Sequence, residues 1–526
     1  MRYESRRVYR GAESTSSAVD ASDGTILRRR DMLSRWDLGG IAIVAAAALV
    51  RLVDLGRRSL WFDEAWAAVA LLDGPFDVAH VGNTPLVLAA LIRLSTMTFG
   101  RNEIAVRLVP ALLGIAAVVL AWRLGRVLAG TAGGCVAAAI VGLLPIPVYY
   151  GKEMKAYAGE LCVALALAWI ILHIRRAPAS VRLWTALVLA VAIGSGLTPT
   201  GPLLGAGAFL VLVPTARRVP GRYVTAAAAS AVIALAWLRL VFERQLAGAP
   251  ELTGYWHLFF LPHGSFSTVA AAAARSAVEA TTWGLGTEVP HHTDSIVRMA
   301  TLPAWCMYVL IALVIAGAVR LVIRGDGWFV ALTIAWHVLM ASASFAGRYP
   351  YGPARIAFVF LAPTALLLAS AARVIVDALP RRARPLGWIV VGLAFAWPLA
   401  GTWRDTVTAP FEREEVRPVL HEVLARRRPG DAIWVAPGAM SAFRFYVPRP
   451  DAAVVLTLPL VDESAFRSTL ADAGHRGHGR VWALFGHRQA MEEMLAVGAV
   501  RGSMRVADRI AATGAAAVLL TSAAPP

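Results

Sequence analysis

Apolar positions in this chain fall in long blocks rather than alternating stripes, and a block of about 20 such residues is what crosses a lipid hydrocarbon core as a helix. Blocks of that kind, full or nearly so, lie near 38–53, 104–123, 127–149, 156–174, 182–198, 200–215, 224–242, 302–323, 327–346, 354–376 and 386–402. The pattern predicts an α-helical multi-pass membrane protein with about 11 transmembrane helices. Thr198-Pro199-Thr200-Gly201-Pro202 splits two of the blocks, as a tight outer turn or a kink. Two longer stretches, 54–103 and 243–300, interrupt the blocks, and the apolar pieces in the first are too short or too polar to span. They read as helices lying along the membrane surface. From about 410 the periodicity changes. Strand-length apolar runs at 432–436, 452–458 and 481–485 alternate with helical patterns such as 416–428, which predicts a small C-terminal α/β domain over 410–526. The membrane module then covers 38–405. Residues 1–37 are polar and arginine-rich with no early apolar core, so they read as a disordered cytoplasmic tail and not as a cleavable signal. No internal repeat is evident.

Composition supports the membrane reading: 58% of the 526 residues are hydrophobic, 16% are charged, and the mean hydropathy is +0.60, too apolar for a water-soluble chain of this length. The net charge of +17 would suggest nucleic acid in a soluble protein. Here the arginines cluster in short runs between apolar blocks and no reading motif accompanies them, so nucleic acid is excluded as a partner. Those runs set orientation instead, because positive residues stay on the cytoplasmic side. With the tail inside, every inner loop is basic: Arg123 and Arg126; Arg175, Arg176 and Arg182; Arg217, Arg218 and Arg222; Arg320 and Arg324; Arg373, Arg381, Arg382 and Arg384. The short outer loops carry only Lys152, Lys155, Arg348 and Arg355. The loops 54–103 and 243–300 and the C-terminal domain fall outside. Cys135, Cys162 and Cys306 lie in apolar runs and read as small core residues.

Three outer segments carry candidate chemistry. Asp63 and Glu64 follow the first apolar block between Trp61 and Trp66. A carboxylate there could take a proton from an acceptor hydroxyl or help hold a divalent cation; an ordinary acid pair at a helix start would look the same. Tyr149-Tyr150-Gly151-Lys152-Glu153-Met154-Lys155-Ala156-Tyr157 holds the only two lysines of the chain. A compact ammonium suits a lipid phosphate. On a helix, Glu153 and Tyr157 would share one face and Lys152 and Lys155 another, although lysine and tyrosine also snorkel at helix ends. Gly347-Arg348-Tyr349-Pro350-Tyr351-Gly352-Pro353-Ala354-Arg355 places two arginines where the orientation rule disfavours them, either to clamp a phosphate or to anchor an interface. His263, His291 and His292 lack zinc-type spacing and read as surface histidines.

In order and setting these segments resemble the GT-C superfamily, in its bacterial protein-mannosyltransferase-like and aminoarabinose-transferase-like branch. Leu60-Trp61-Phe62-Asp63-Glu64-Ala65 looks like the first-loop Asp-Glu motif. Asn83-Thr84-Pro85-Leu86, Gly100, Glu103, Arg107-Leu108 and Gly114 are similar to a stretch that usually begins His-Pro-Pro-Leu, with Asn83-Thr84 in place of His-Pro and His80 one helical turn away. Residues 150–157 resemble a Gln-Glu-x-Arg-x-Tyr signature, with Lys152 for Gln and Lys155 for Arg. Arg355 before an apolar helix containing Pro363 resembles a late-helix motif. Segments 416–435 and 443–446 look like a small outer domain found in one subgroup.

The resemblance implies an inverting transfer of a sugar from a polyprenyl-phosphate donor to a glycan, lipid or protein acceptor at the outer face of the bacterial cytoplasmic membrane. It implies Asp63 as base, with Glu64 and Glu153 orienting the acceptor or, through Asp63 and Glu153, holding a divalent metal cation. Lys152, Lys155, Arg348 and Arg355 are then the donor-phosphate ligands, and Tyr149, Tyr150, Tyr157, Asn83 and His80 line the substrate site. Membrane lipids are the remaining partners. The rival reading is a transporter or flippase of lipid-linked or small substrates, which would place ionisable groups at mid-membrane. The blocks here are clean apart from Arg239 and residues near their ends.

Overall fold

A computed structural model describes residues 35–53, 55–76, 84–247, 256, 259–287, 302–351, 355–408, 411–456 and 463–523. Among them, seven helices are long and apolar enough to cross a membrane: Glu103–Leu143, Tyr157–Arg176, Pro220–Gln245, Cys306–Ile323, Gly327–Phe345, Arg355–Ala378 and Arg384–Thr408. Leu86–Phe99, Val181–Leu197 and Gly201–Ala216 are shorter apolar helices. Burial separates centre from periphery. The apolar windows of Arg355–Ala378 and Tyr157–Arg176 are 78% and 72% buried, whereas Cys306–Ile323 buries 11% of its window and Pro220–Gln245 17%. The peripheral helices therefore present Val309, Ile315, Val319 and Ile323 outward. A continuous apolar surface of that extent belongs in lipid.

Glycines decide how the blocks fold back. The windows 104–123 and 127–149 form one 41-residue helical element broken at Gly130, whose φ of 79° is left-handed. A Cβ on Gly125 would sit 2.9 Å from Gly134 Cα, and one on Gly142 3.2 Å from Val118. The two arms thus run back to back. The breaker cluster at 198–202 is a tight turn and not a kink, because a Cβ on Gly201 would lie 2.4 Å from the Gly194 backbone and one on Gly205 2.9 Å from Val191.

The first long loop contains the helices Phe62–Asp73 and Leu86–Phe99, of 12 and 14 residues. At 1.5 Å per residue, roughly 18 and 21 Å, neither spans a core of about 30 Å. A second expectation fails. Residues 151–156 form a turn between the helices Pro145–Tyr150 and Tyr157–Arg176, so the helical spacing assumed for Glu153 with Tyr157 and for Lys152 with Lys155 does not hold. The cause is Arg51, buried and donating to the carbonyls of Val141, Gly142 and Pro147. Its guanidinium packs so close to Gly151 that a Cβ there would lie 2.8 Å from Arg51 Nε. Gly114 leaves room for the same contact.

Beyond residue 411 the chain builds a five-stranded sheet in the order β2-β1-β3-β5-β4, from β1 (Ala432–Val435), β2 (Val454–Leu456), β3 (Arg480–Phe485), β4 (Met504–Ala512) and β5 (Ala515–Ser522). β1 pairs parallel with β2 and β3, and β5 pairs antiparallel with β3 and β4. The last two strands escape the sequence pattern: β4 mixes Arg505, Asp508 and Arg509 among its apolar residues, and β5 is alanine-rich, a helix-favouring composition.

Candidate active site at the end of the helical bundle

The helix Phe62–Asp73 carries Asp63 and Glu64 in its first turn. Glu64 is wholly buried and spent on structure. Arg107 from the long Glu103–Leu143 element grips it with Nε and Nη2 at 2.9 and 2.5 Å, and Glu64 Oε1 also accepts the Met154 amide at 2.8 Å. Burial opposes the charge of Glu64, but the Arg107 charge and bonds outweigh it and hold the carboxyl below its ordinary range. The pair ties the 151–156 turn to the first-loop helix.

Asp63 is the accessible acid of the two. Its Oδ2 lies 3.0 Å from Arg355 Nη2, with the aspartate side chain 26% and the arginine side chain 9% exposed. The Arg355 guanidinium sits 5.3 and 5.7 Å from the ring centres of Trp61 and Trp256, an aromatic cradle that suits a planar cation. Lys155 Nζ stands 6.0 Å from the Trp66 ring. Burial lowers the pKa of Lys155, Asp63 raises it and Arg355 lowers it again, with a net downward shift. Glu153 is fully buried, and neither carboxyl oxygen has a hydrogen-bond partner among the described residues. Burial first, and then the Glu64 charge, push its pKa up to about 7 against the pull of Arg413, Arg355 and Arg58. Tyr150 packs edge-on to Tyr149 and Tyr157 and against Trp283 and Phe358, a continuous aromatic wall beside these charges.

The cluster thus unites Asp63, Glu153, Lys155 and Arg355 with Tyr157, whose field includes Arg355, Glu153 and Asp63. Lys152 is not among them. Its Nζ donates to the Val50 carbonyl at 3.3 Å, and it lines a recess with Arg58, Tyr149, Thr402, Asp405 and Phe411. Arg348 is exposed and, among the described residues, makes no side-chain bond to the cluster. His80, Asn83, His291 and His292 lie outside the described residues; His263 packs on Phe345. Arg51, Arg58 and Arg413 have no candidate role in the sequence and Arg107 enters there only through the family likeness; contacts across the fold, which residue type does not signal, bring these arginines to the site. Among the described residues no group of three or more His, Cys, Asp or Glu side chains is placed to hold a metal ion. Asp63 and Glu153 are the carboxylates of this cluster, and Arg355, Lys155, Arg58 and Arg413 supply the positive charge around them.

Residues 83–239 match the family model described as dolichyl-phosphate-mannose-protein mannosyltransferase. The archaeal oligosaccharyltransferase AglB from Archaeoglobus fulgidus, solved with an inhibitory peptide and a dolichol-phosphate, superposes over 92% of this chain and 74% of its own, with a TM-score of 0.54 at 12% identity. ArnT from Cupriavidus metallidurans, solved bound to undecaprenyl phosphate, superposes over 92% of this chain and 99% of its own, with a TM-score of 0.54 at 14% identity; its apo state gives 0.52 over 91% and 97%, also at 14%. No curated protein matches in sequence. At these identities the structural likeness is one of fold. Together with the family match it supports a place in the GT-C superfamily, in the protein-mannosyltransferase-like and aminoarabinose-transferase-like branch.

Proposed function

We propose that this chain is a membrane glycosyltransferase that moves a sugar from a polyprenyl-phosphate donor to an acceptor on the outer face of the cytoplasmic membrane. The observation that carries the reading is the accessible Asp63 held 3.0 Å from Arg355, with Lys155 beside them, where the bundle ends. Asp63 takes the proton of the acceptor hydroxyl or amine as that atom bonds to the sugar's anomeric carbon. The bond from that carbon to the phosphate oxygen breaks on the opposite side, and its electron pair leaves with the polyprenyl phosphate. Lys155 and Arg355 neutralise the charge that grows there, and their burial strengthens the effect. Arg355 has donors enough to hold Asp63 and a phosphate at once. The structures solved with dolichol-phosphate and undecaprenyl phosphate support the donor class.

Release of polyprenyl monophosphate from a panel of polyprenyl-phosphate sugars, followed in proteoliposomes, tests this from the donor side alone. Asp63→Ala should lower turnover by about 10²–10⁴-fold with the protein still folded. Full turnover in that variant removes Asp63 from the mechanism, and the lipid and glycan profile of a deletion strain names the sugar and acceptor.

A further inference from the structure

Residues 55–61, which lead into Asp63, form no helix or strand, and side chains from elsewhere hold the carbonyls of residues 55–59 and the amides of Ser59 and Leu60. Arg107 takes the carbonyls of Leu55, Arg58 and Ser59 at 3.0, 2.9 and 3.0 Å. The remaining bonds come from beyond residue 411. Glu415 Oε2 accepts both the amide and the hydroxyl of Ser59, at 3.0 and 2.8 Å. Tyr446 Oη accepts the Leu60 amide at 2.9 Å and donates to Glu103 at 2.9 Å. Glu414 Oε2 accepts the Phe62 amide at 2.6 Å. Arg417 donates to the carbonyls of Gly56 and Arg57 at 3.0 and 2.6 Å.

The helix Phe62–Asp73 begins at Trp61 with no side-chain cap of its own, so Glu414 supplies one from a distant part of the sequence, where a carboxylate also meets the positive end of the helix dipole. Residues 412–415 are fixed in turn by the β4–β5 turn. The Glu415 amide donates to the Thr513 carbonyl at 2.8 Å, and the Thr513 hydroxyl donates to Glu412 at 2.9 Å. Gly514 has a φ of 63°, and a Cβ on it would lie 2.2 Å from the Arg413 carbonyl oxygen. The same strap lays the Arg413 guanidinium 3.4 Å from the Trp61 ring centre, next to the cradle of Arg355.

We propose that the strap of residues 413–417 is a positioning device for Asp63, in which Glu414 and Glu415, held by the turn at Gly514, set the backbone that carries the acid to Arg355. The catalytic part of this statement rests on the role of Asp63 proposed above; the structural part does not. It makes the C-terminal sheet part of the active site and not an appendage. The bonds to two carboxylates are charge-assisted and end on backbone amides directly before the helix, so their loss frees the residues next to Asp63 first.

Hydrogen–deuterium exchange of the full-length protein in nanodiscs tests the device without any substrate. In the double variant Glu414→Ala with Glu415→Ala, amides at 59–65 should exchange at least about tenfold faster, while β3 and β5 keep their protection. Gly514→Ala should do the same from a position outside the cluster. The double variant Glu414→Gln with Glu415→Gln keeps an acceptor oxygen at each place and should stay within about threefold of wild type. In the release assay the alanine pair should lower kcat about tenfold or more with the donor KM within about threefold, because Lys155 and Arg355 lie on other elements. Unchanged exchange at 59–65 overturns the proposal. So does a glutamine pair as damaging as the alanine pair, or a loss of protection that runs through the sheet as well. If Asp63→Ala retains transfer, the proposed function falls while the exchange result still decides the strap.

Discussion

Glu153 has a fully buried carboxyl group with no hydrogen-bond partner among the described residues, and burial is the main reason its pKa stands near 7 instead of 4.5. A carboxyl raised in this way favours the folded state while protonated. Its contribution is complete below about pH 4.5 and is lost as pH rises through about 7. Glu153→Gln should abolish that dependence, so wild type should melt progressively lower than the variant from about pH 4.5 to about pH 7; thermal unfolding in detergent measures it, and a difference that stays flat across this range contradicts the assignment. Glu64 works in the opposite sense. Because it neutralises a buried Arg107 through two bonds, Glu64→Gln removes the counter-charge of a buried guanidinium and should cost about 3–5 kcal/mol in the same melting measurement.

Among elements, the turns made by small residues bring the site together. Gly201 lets the helix Gly201–Ala216 start against the backbone of Gly194, and Gly151 lets the Pro145–Tyr150 helix end against Arg51. Overpacking at either place forces the backbone to move. Gly201→Ala should destabilise the protein by about 1–3 kcal/mol without touching the acid and cation cluster, seen as a lower unfolding midpoint with an unchanged donor KM. Gly151→Ala should instead shift the turn that carries Glu153 and Lys155, and should therefore raise the donor KM. An equal effect of the two substitutions on donor KM would mean that the turn at Gly151 does not place the lysine.

At the scale of the whole molecule, peripheral helices with scarcely buried apolar faces surround a buried centre, and the sheet rests on the end of the bundle where Asp63 and Arg355 meet. The basic loops expected inside include Arg218, which is exposed, and Ser503 is exposed on the sheet side. With the site on the outer face, Ser503→Cys should react with a membrane-impermeant maleimide in intact cells and Arg218→Cys should not, the native cysteines being Cys135, Cys162 and Cys306. The reverse labelling pattern would turn the protein over and exclude an outward-facing transfer.

The amino-acid sequence carries the solvent of this protein, the places where its helices run, and the order of the acidic and basic segments between them. Those properties follow from the length and spacing of apolar runs, which bilayer thickness converts directly into elements. It also pointed to Asp63, Lys155 and Arg355, which the fold brings together. What the one-dimensional pattern does not carry is that Glu64 is tied up by Arg107, that Lys152 and Lys155 lose their helical register because residues 151–156 form a turn over Arg51, and that Glu414 and Glu415 hold the approach to Asp63. Each of these depends on which side chain meets which backbone group across large separations in the chain. Hydrophobic periodicity carries no information about such pairings, because a buried arginine that satisfies carbonyls and one that faces the cytoplasm look the same in one dimension.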